Sequence, residues 1–341
     1  MKHPKHWLVL WLVFIPFLSQ GQNLDASPAG IMISHGHPKG GWMLTYTYQH
    51  SELGHCIDGT ATVSDEKIYE NYLMSPQNMK MDMHMLMGMY GASGRLSFMA
   101  MIMYNQMNMN MSMMSGTSHL HNGVLMPTPT NMTMTTSGFG DVRLWAICKL
   151  ANGERSSLIA SFGLSLPFGR NDLKGNSENM FSGQHLPYSM QIGTGTLDFL
   201  PGVSYYKNAG KISWSMQALG SIRFLPNMYN YTRETDLTIN LWAARKFGKH
   251  LSISVRSENY WASVIDGVDE YSYSGMEPDS DPENYGGIKS NALLGVNYYI
   301  NSGFLKDSKI GAEGGIPVFQ NLNGPQQKSS YQFIIGITKS F

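Results

Sequence analysis

Twelve segments of about ten residues, each alternating apolar and polar side chains, are joined by connections that are short and long in strict turn. The segments are 41–50, 79–90, 94–104, 139–150, 156–168, 194–207, 211–223, 235–247, 250–261, 289–301, 309–318 and 330–341. The short connections are Gly91-Ala92-Ser93, Ala151 to Arg155, Asn208-Ala209-Gly210, Gly248-Lys249 and Ser302 to Ser308. The long ones are 51–78, 105–138, 169–193, 224–234, 262–288 and 319–329. A period of two puts alternate side chains on opposite faces of a strand. A soluble sandwich or propeller would show that alternation, but nothing in either makes every second connection long. An outer-membrane barrel does, because its strands turn tightly in the periplasm and loop widely outside. The expected fold is all-β: a transmembrane antiparallel up-and-down β-barrel of about 12 strands over residues 41–341, with short periplasmic turns and long extracellular loops.

After residue 21 no apolar run approaches the 18 residues of a helical span, which leaves a closed barrel as the way through a bilayer. Charge is scarce in the way such a barrel requires. Only 14% of residues are charged, against about 25% in a soluble domain, yet the apolar fraction is an ordinary 42%. Lys+Arg and Asp+Glu are equal at 24 each, and no basic stripe points to nucleic acid. Lys2 and Lys5 precede an apolar run from Trp7 to Leu18 and then Ser19-Gln20-Gly21. That pattern predicts a signal peptide over 1–21, cleaved after Gly21, and export to the outer membrane of a Gram-negative bacterium. Residues 22–40 then form a periplasmic N-terminal segment. The last strand ends on Phe341, the aromatic terminus by which the barrel-assembly machinery engages such chains. Expected partners are therefore that machinery, outer-membrane lipid and a small-molecule solute.

Four strands show which face meets lipid. Leu144, Ala146 and Leu150 oppose Asp141, Arg143 and Lys149; Leu237, Ile239 and Leu241 oppose Asp236 and Asn240. Ile253 and Val255 oppose Arg256 and Glu258, and Phe333, Ile335 and Ile337 oppose Gln332 and Thr338. Charges avoid hydrocarbon, so Lys80, Asp82, His84, Arg95, Asp141, Arg143, Lys149, Asp198, Asp236, Arg256 and Glu258 are expected in the lumen. Both signs are present, which favours pairing across the lumen over a filter of one sign.

Methionine is the anomaly: 18 of 26 lie between Met74 and Met134. Met79, Met81, Met83, Met85, Met87 and Met89 alternate with Lys80, Asp82 and His84, so the same rule turns these six toward lipid. On the next strand Leu96, Phe98, Ala100 and Ile102 make the better lipid face, which turns Met99, Met101 and Met103 inward. Thioethers there would contact aromatic or apolar solutes favourably. Met107, Met109, Met111 and Met113, followed by His119 and His121, read as an extracellular loop with donors for Cu(I) or Ag(I), or as a strand extension with no ligand.

Other candidates are weaker. His35-Gly36-His37 reads as a solvated turn. His50, His55 and Cys56 could share a site with partners elsewhere. Cys56 and Cys148 belong at opposite ends of the barrel and stay independent thiols. Asp279, Asp281 and Glu283 sit in an acidic loop that a hard cation could bridge, although a solvated loop explains them as well. The chain contains no G-x-S-x-G elbow, Walker loop, H-E-x-x-H or C-x-x-C, so no enzyme is expected.

Several stretches resemble a family of outer-membrane transporters named for the meta-pathway of phenol degradation. They are Ile33-Ser34-His35-Gly36-His37 through Gly41-Trp42-Met43, and Met79 to Leu86 with Met89-Tyr90 following. Ser137-Gly138-Phe139-Gly140-Asp141, Gly163-Leu164-Ser165-Leu166-Pro167, and Leu186-Pro187-Tyr188 through Gly193-Thr194-Gly195-Thr196 also match. The likeness covers most of the chain after residue 21, and Met-Asp-Met-His is its most specific part. The resemblance implies an outer-membrane β-barrel that passes aromatic or other small apolar compounds. It carries no catalytic or ligand residue over.

Overall fold

The computed structural model describes residues 25–114, 131–175 and 183–341, together with the backbone of 118–121 and 124–127. The first strands are β1 (Trp42–Gly59), β2 (Ala61–Thr62), β3 (Met74–Gly91) and β4 (Leu96–Met113), with one short helix α1 (Asp65–Ile68). Next come β5 (Ser118–His121), β6 (Val124–Pro127), β7 (Asn131–Phe139), β8 (Val142–Asn152) and β9 (Ser156–Leu166). They are followed by β10 (Asp198–Ala209), β11 (Ile212–Ser221), β12 (Tyr231–Thr232) and β13 (Asp236–Phe247). The series ends with β14 (Leu251–Ala262), β15 (Asp266–Gly267), β16 (Gly287–Ile300) and β17 (Ser308–Ser340).

Eleven of these pair in sequence order, all antiparallel, and β17 pairs back onto β1 to close a barrel; β2 and β7 lie off the circuit. The circumference nevertheless has twelve staves. The first half of β17 pairs with β16 up to Leu322, and the second half pairs with β1 from Leu322 onward. Likewise β7 and β8 share one stave, β7 against the upper part of β4 and β8 against its lower part. Each of the twelve sequence segments is therefore a stave. No helix among the described residues is long and apolar enough to cross a membrane.

The outward face carries exposed Leu86, Phe98, Ile102, Leu144, Leu241, Val255, Leu294 and Ile335, a belt that needs a lipid cover. At the short-turn end Trp42 stacks near Tyr90, with ring centroids 4.7 Å apart. Tyr205 and Trp214 are 5.4 Å apart at the same level. These are interfacial aromatics, apolar in body and polar at the tip.

Several connections expected as loops are strand. Residues 51–59, 74–78, 105–113, 131–138 and 319–329 continue the staves beyond the apolar belt. The alternation persists there, but the outward side chains become Gln106, Asn108, Asn110, Thr133 and Thr135. Amides and hydroxyls outside are what a strand needs once it has risen above hydrocarbon, and they disguise it as a loop. In the 319–329 stretch Gln320 binds both the backbone oxygen and the N–H of Ser329, at 3.1 and 2.8 Å.

Candidate functional site

The lumen has two chemically distinct walls. One is methionine. On β3 and β4 the inward residues pair across the strands as Met79 with Met109, Met81 with Met107, Met85 with Met103, Met87 with Met101 and Met89 with Met99. Met74 pairs with Met113 at the top, and β7 adds Met132 and Met134 opposite Met111 and Met109. Paired side chains on one face sit about 4.5–5.5 Å apart at Cβ, so the thioethers form two stacks, one around Met85–Met89 and Met99–Met103 and one around Met79 and Met107–Met113, parted where Met83 faces Asn105.

Met99, Met101 and Met103 are buried on the inner face of β4, and Met101 and Met103 line the chamber described below. The face of β3 is the reverse of the expectation: Met79, Met85, Met87 and Met89 are buried, while Lys80 is exposed and Asp82 and His84 face outward with it. The rule that charges seek the lumen fails because these residues reach the outer rim of the apolar belt, where polar partners exist. Asp82 accepts from Tyr48 Oη at 2.5 Å and pairs with His50 Nδ1 at 2.8 Å. His84 Nδ1 is 2.8 Å from Tyr46 Oη. Arg95 is corrected too: it is exposed in the short turn between β3 and β4, outside the lumen.

The other wall is ionic and holds Asp141, Arg143, Asp198, Asp236, Arg256 and Glu258, while Lys149 lies apart from it, beside Gly36 of the N-terminal segment. Arg256 reaches Glu313 at 3.0 Å, Glu258 at 2.6 Å and Asn240 at 2.9 Å. Arg223, which the sequence reading passed over, spans Asp198 and Asp236 at 3.2 Å each. Asp141 accepts from Gly169 N, Thr194 N and Thr194 Oγ1 at 2.9–3.0 Å, tying the long β9–β10 connection to the wall. Between the two walls lies a chamber of about 350 Å³, lined by Met83, Met85, Met101 and Met103 on one side. Arg143, Asp236 and Glu258 line the other.

The chamber is closed at the short-turn end by residues 25–37. Residues 22–40 are expected outside the barrel, with His35 and His37 in a solvated turn; instead 25–37 thread the lumen, and Ile33 and His37 are each 1% exposed. Gly30 N donates to Glu313 Oε2 at 2.6 Å, and a Cβ on Gly30 would come 2.5 Å from Arg256 Nη2. Ile33 O accepts from Gln217 Nε2 at 2.6 Å and Ser204 Oγ at 3.1 Å. Ser27 O accepts from Asn297 Nδ2 and Lys309 Nζ. The sequence signal was Ala29-Gly30-Ile31-Met32-Ile33, too apolar for a free linker and too short for a strand.

At the other end the long loops fold inward. Leu186, Met190 and Met276 pack on Met107, Met109, Met111 and Met113, and Leu73 N and Met74 N both donate to Met276 O. The Met107–Met113 segment is therefore buried strand, not an exposed metal-binding loop. The side chains of His119 and His121 lie outside the described residues, as does the expected signal peptide. His50 is bonded to Asp82, His55 is exposed and Cys56 is buried elsewhere, so these three do not converge. Both cysteines are free. Among the described residues no three His, Cys, Asp or Glu side chains are grouped to hold a metal, the acidic loop included. That loop is folded, with Asp279 accepting from Ser189 Oγ.

Glu277, in the same loop, is fully buried and neither carboxylate oxygen has a partner among the described residues. Burial, and secondarily the neighbouring Asp279, raises its pKa well above 4.5. An acid whose folded pKa is raised costs nothing below its unfolded value near 4.5. The cost grows as pH rises and is complete once the folded pKa is passed. Loop closure should thus weaken from acid toward neutral pH, and Glu277→Gln should reduce the dependence to the part that buried Asp279 contributes. Amide exchange of residues 268–286, corrected for intrinsic rate, measures this; equal pH slopes in both proteins would refute it.

No family model and no curated protein matches the chain. In fold it is similar to the COG4313 outer membrane channel from Pseudomonas putida F1, with a TM-score of 0.58 and 15% identity, over 93% of this chain and 100% of that one. The transport unit of the autotransporter AIDA-I from Escherichia coli aligns at TM-score 0.46 and 10% identity over 93% and 95%. A TodX mutant monoaromatic hydrocarbon channel aligns at 0.43 and 10% over 89% and 91%. Neither of these last two is close enough to argue from. At 15% identity the first likeness is one of fold.

Proposed function

We infer that this chain is an outer-membrane channel for small apolar or aromatic solutes. The observation that carries the reading is the chamber of about 350 Å³, with a thioether wall facing an ionic wall. Flexible, polarizable Met side chains adapt to varied apolar shapes and contact aromatic rings at their edges. Across the chamber the acids are committed to Arg223, Arg256 and the backbone amides around Thr194. These pairs damp the field of the wall, and Arg143, whose Nε has no partner among the described residues, leaves a donor for a weakly polar solute such as a phenol. The barrel fold, its likeness to an outer membrane channel and the sequence resemblance to the phenol-pathway transporters support the same reading.

Proteoliposomes test it. Uptake of radiolabelled phenol should exceed that of a sugar of similar mass, and Met101→Asp with Met103→Asp should abolish the preference. No flux in any liposome, or equal flux of phenol and sugar, would count against an apolar channel.

A further inference from the structure

Methionine in this barrel is sorted by face. On β3 and β4 the inward positions from Met79 to Met89 are all Met, and those from Met99 to Met113 are Met except Asn105. The outward apolar positions of the same strands are Leu86, Tyr90, Leu96, Phe98, Ala100, Ile102 and Tyr104. Were bulk and hydrophobicity all that mattered, Leu, Ile or Val would serve inside equally, and β-branched residues sit better in strands. What the inner face has and the outer face lacks is thioether sulfur.

At the short-turn end the Met85–Met89 stack meets a small internal cavity of about 30 Å³, lined by Met32, Met43, Met87 and His35 among others. Such a volume holds one water or one ion. His35 Nδ1 lies 3.0 Å from Asp25 Oδ2. A carboxylate only accepts, so Nδ1 donates to Asp25, with Ser34 Oγ 2.8 Å away on the same nitrogen, and Nε2 is the ring atom left to face a ligand. That is how an outer carboxylate prepares an imidazole to ligate a metal. Lys309 Nζ, on the same cavity, is held by Ser27 O at 2.9 Å and by Asp25 Oδ1 at 3.4 Å, so Asp25 already balances its charge. A neutral set of thioethers and one imidazole suits a soft monovalent ion and not a hard or divalent one.

We propose that Met32, Met43, Met87 and His35 bind one soft monovalent cation, Cu(I) or Ag(I), with Asp25 orienting the imidazole and the Met85, Met89 and Met99–Met103 stack beside them as its approach. The ion enters and leaves in its +1 state by exchange between neutral donors, with no electron transferred. The proposal does not depend on which organic solute the chamber passes.

Full-length protein carrying [methyl-13C]methionine, folded in detergent and titrated with silver nitrate in chloride-free buffer, provides the test. The first equivalent should shift the methyl resonances of Met32, Met43 and Met87, assigned from single Leu variants, and later equivalents those of the stack. Met43→Leu with Met87→Leu keeps volume and apolarity and should abolish binding of the first ion. Asp25→Asn should weaken it by about 10–100-fold. The proposal is overturned if these resonances stay fixed through several equivalents, if other methionines shift first, or if the double Leu variant binds silver as the wild type does.

Discussion

Deleting residues 25–37 is expected to open to ions a barrel whose lumen the full chain fills. The segment occupies the lumen and is held there chiefly through its backbone: Ser27 O, Gly30 N and Ile33 O bond to Lys309, Glu313 and Gln217 on three different parts of the wall. None of the strand pairings that close the barrel depends on it, since β1 meets β17 from Met43 opposite Ser340 upward. Its removal leaves polar wall groups that water can satisfy, so the barrel should survive. A twelve-strand interior emptied of its filling is wide enough for water and small ions, and mean conductance in planar bilayers should rise roughly tenfold or more. A deletion variant as silent as the full chain would show that the inward-folded loops seal the other end unaided. A milder test weakens the same contacts: Gly30→Val places a side chain against Arg256 and Glu313 and should give frequent, brief openings.

The number of staves and their lipid faces on β8, β13, β14 and the last stave were legible because hydrocarbon tolerates few polar side chains, so alternation there has one solution. On β3 it had two. The inward face is apolar in its own right, and Asp82 and His84 found Tyr48, His50 and Tyr46 outside, partners on the preceding stave across the 51–78 connection. A rule about where charges go cannot see that a neighbouring strand supplies hydroxyls at the same height. Strand length was hidden for a related reason: above the belt, Asn108 and Asn110 look like loop residues, although Asn108 bonds Thr135 and Asn110 bonds Asn78 across paired strands. The ionic wall was half visible. Arg256 and Glu258 were readable from one strand, but Glu313 and Arg223, which complete the pairs, lie on other staves.

That ionic wall carries the second large effect. Arg256 and Glu313 are both almost fully buried, and Arg256 is the common partner of Glu313, Glu258 and Asn240. Truncating Arg256 to Ala would strand two carboxylates, one of which also receives the N–H of Gly30. Breaking a buried pair from one side costs about 3–5 kcal/mol, because the remaining charge keeps its desolvation penalty without compensation. In urea unfolding of the barrel in lipid vesicles, Arg256→Ala should therefore lose a large share of the stability. The triple change Arg256→Met, Glu258→Gln and Glu313→Gln should recover most of it, since no charge is then left alone. Recovery separates two roles for the network. If the triple variant is stable yet leaks ions, the charges serve to seat the N-terminal segment through Gly30; if it is stable and silent, backbone contacts at Ile33 and Ser27 hold the segment without them. Should Arg256→Ala prove as stable as the wild type, water must reach Glu313 freely, and the lumen at this level is wetter than its burial implies.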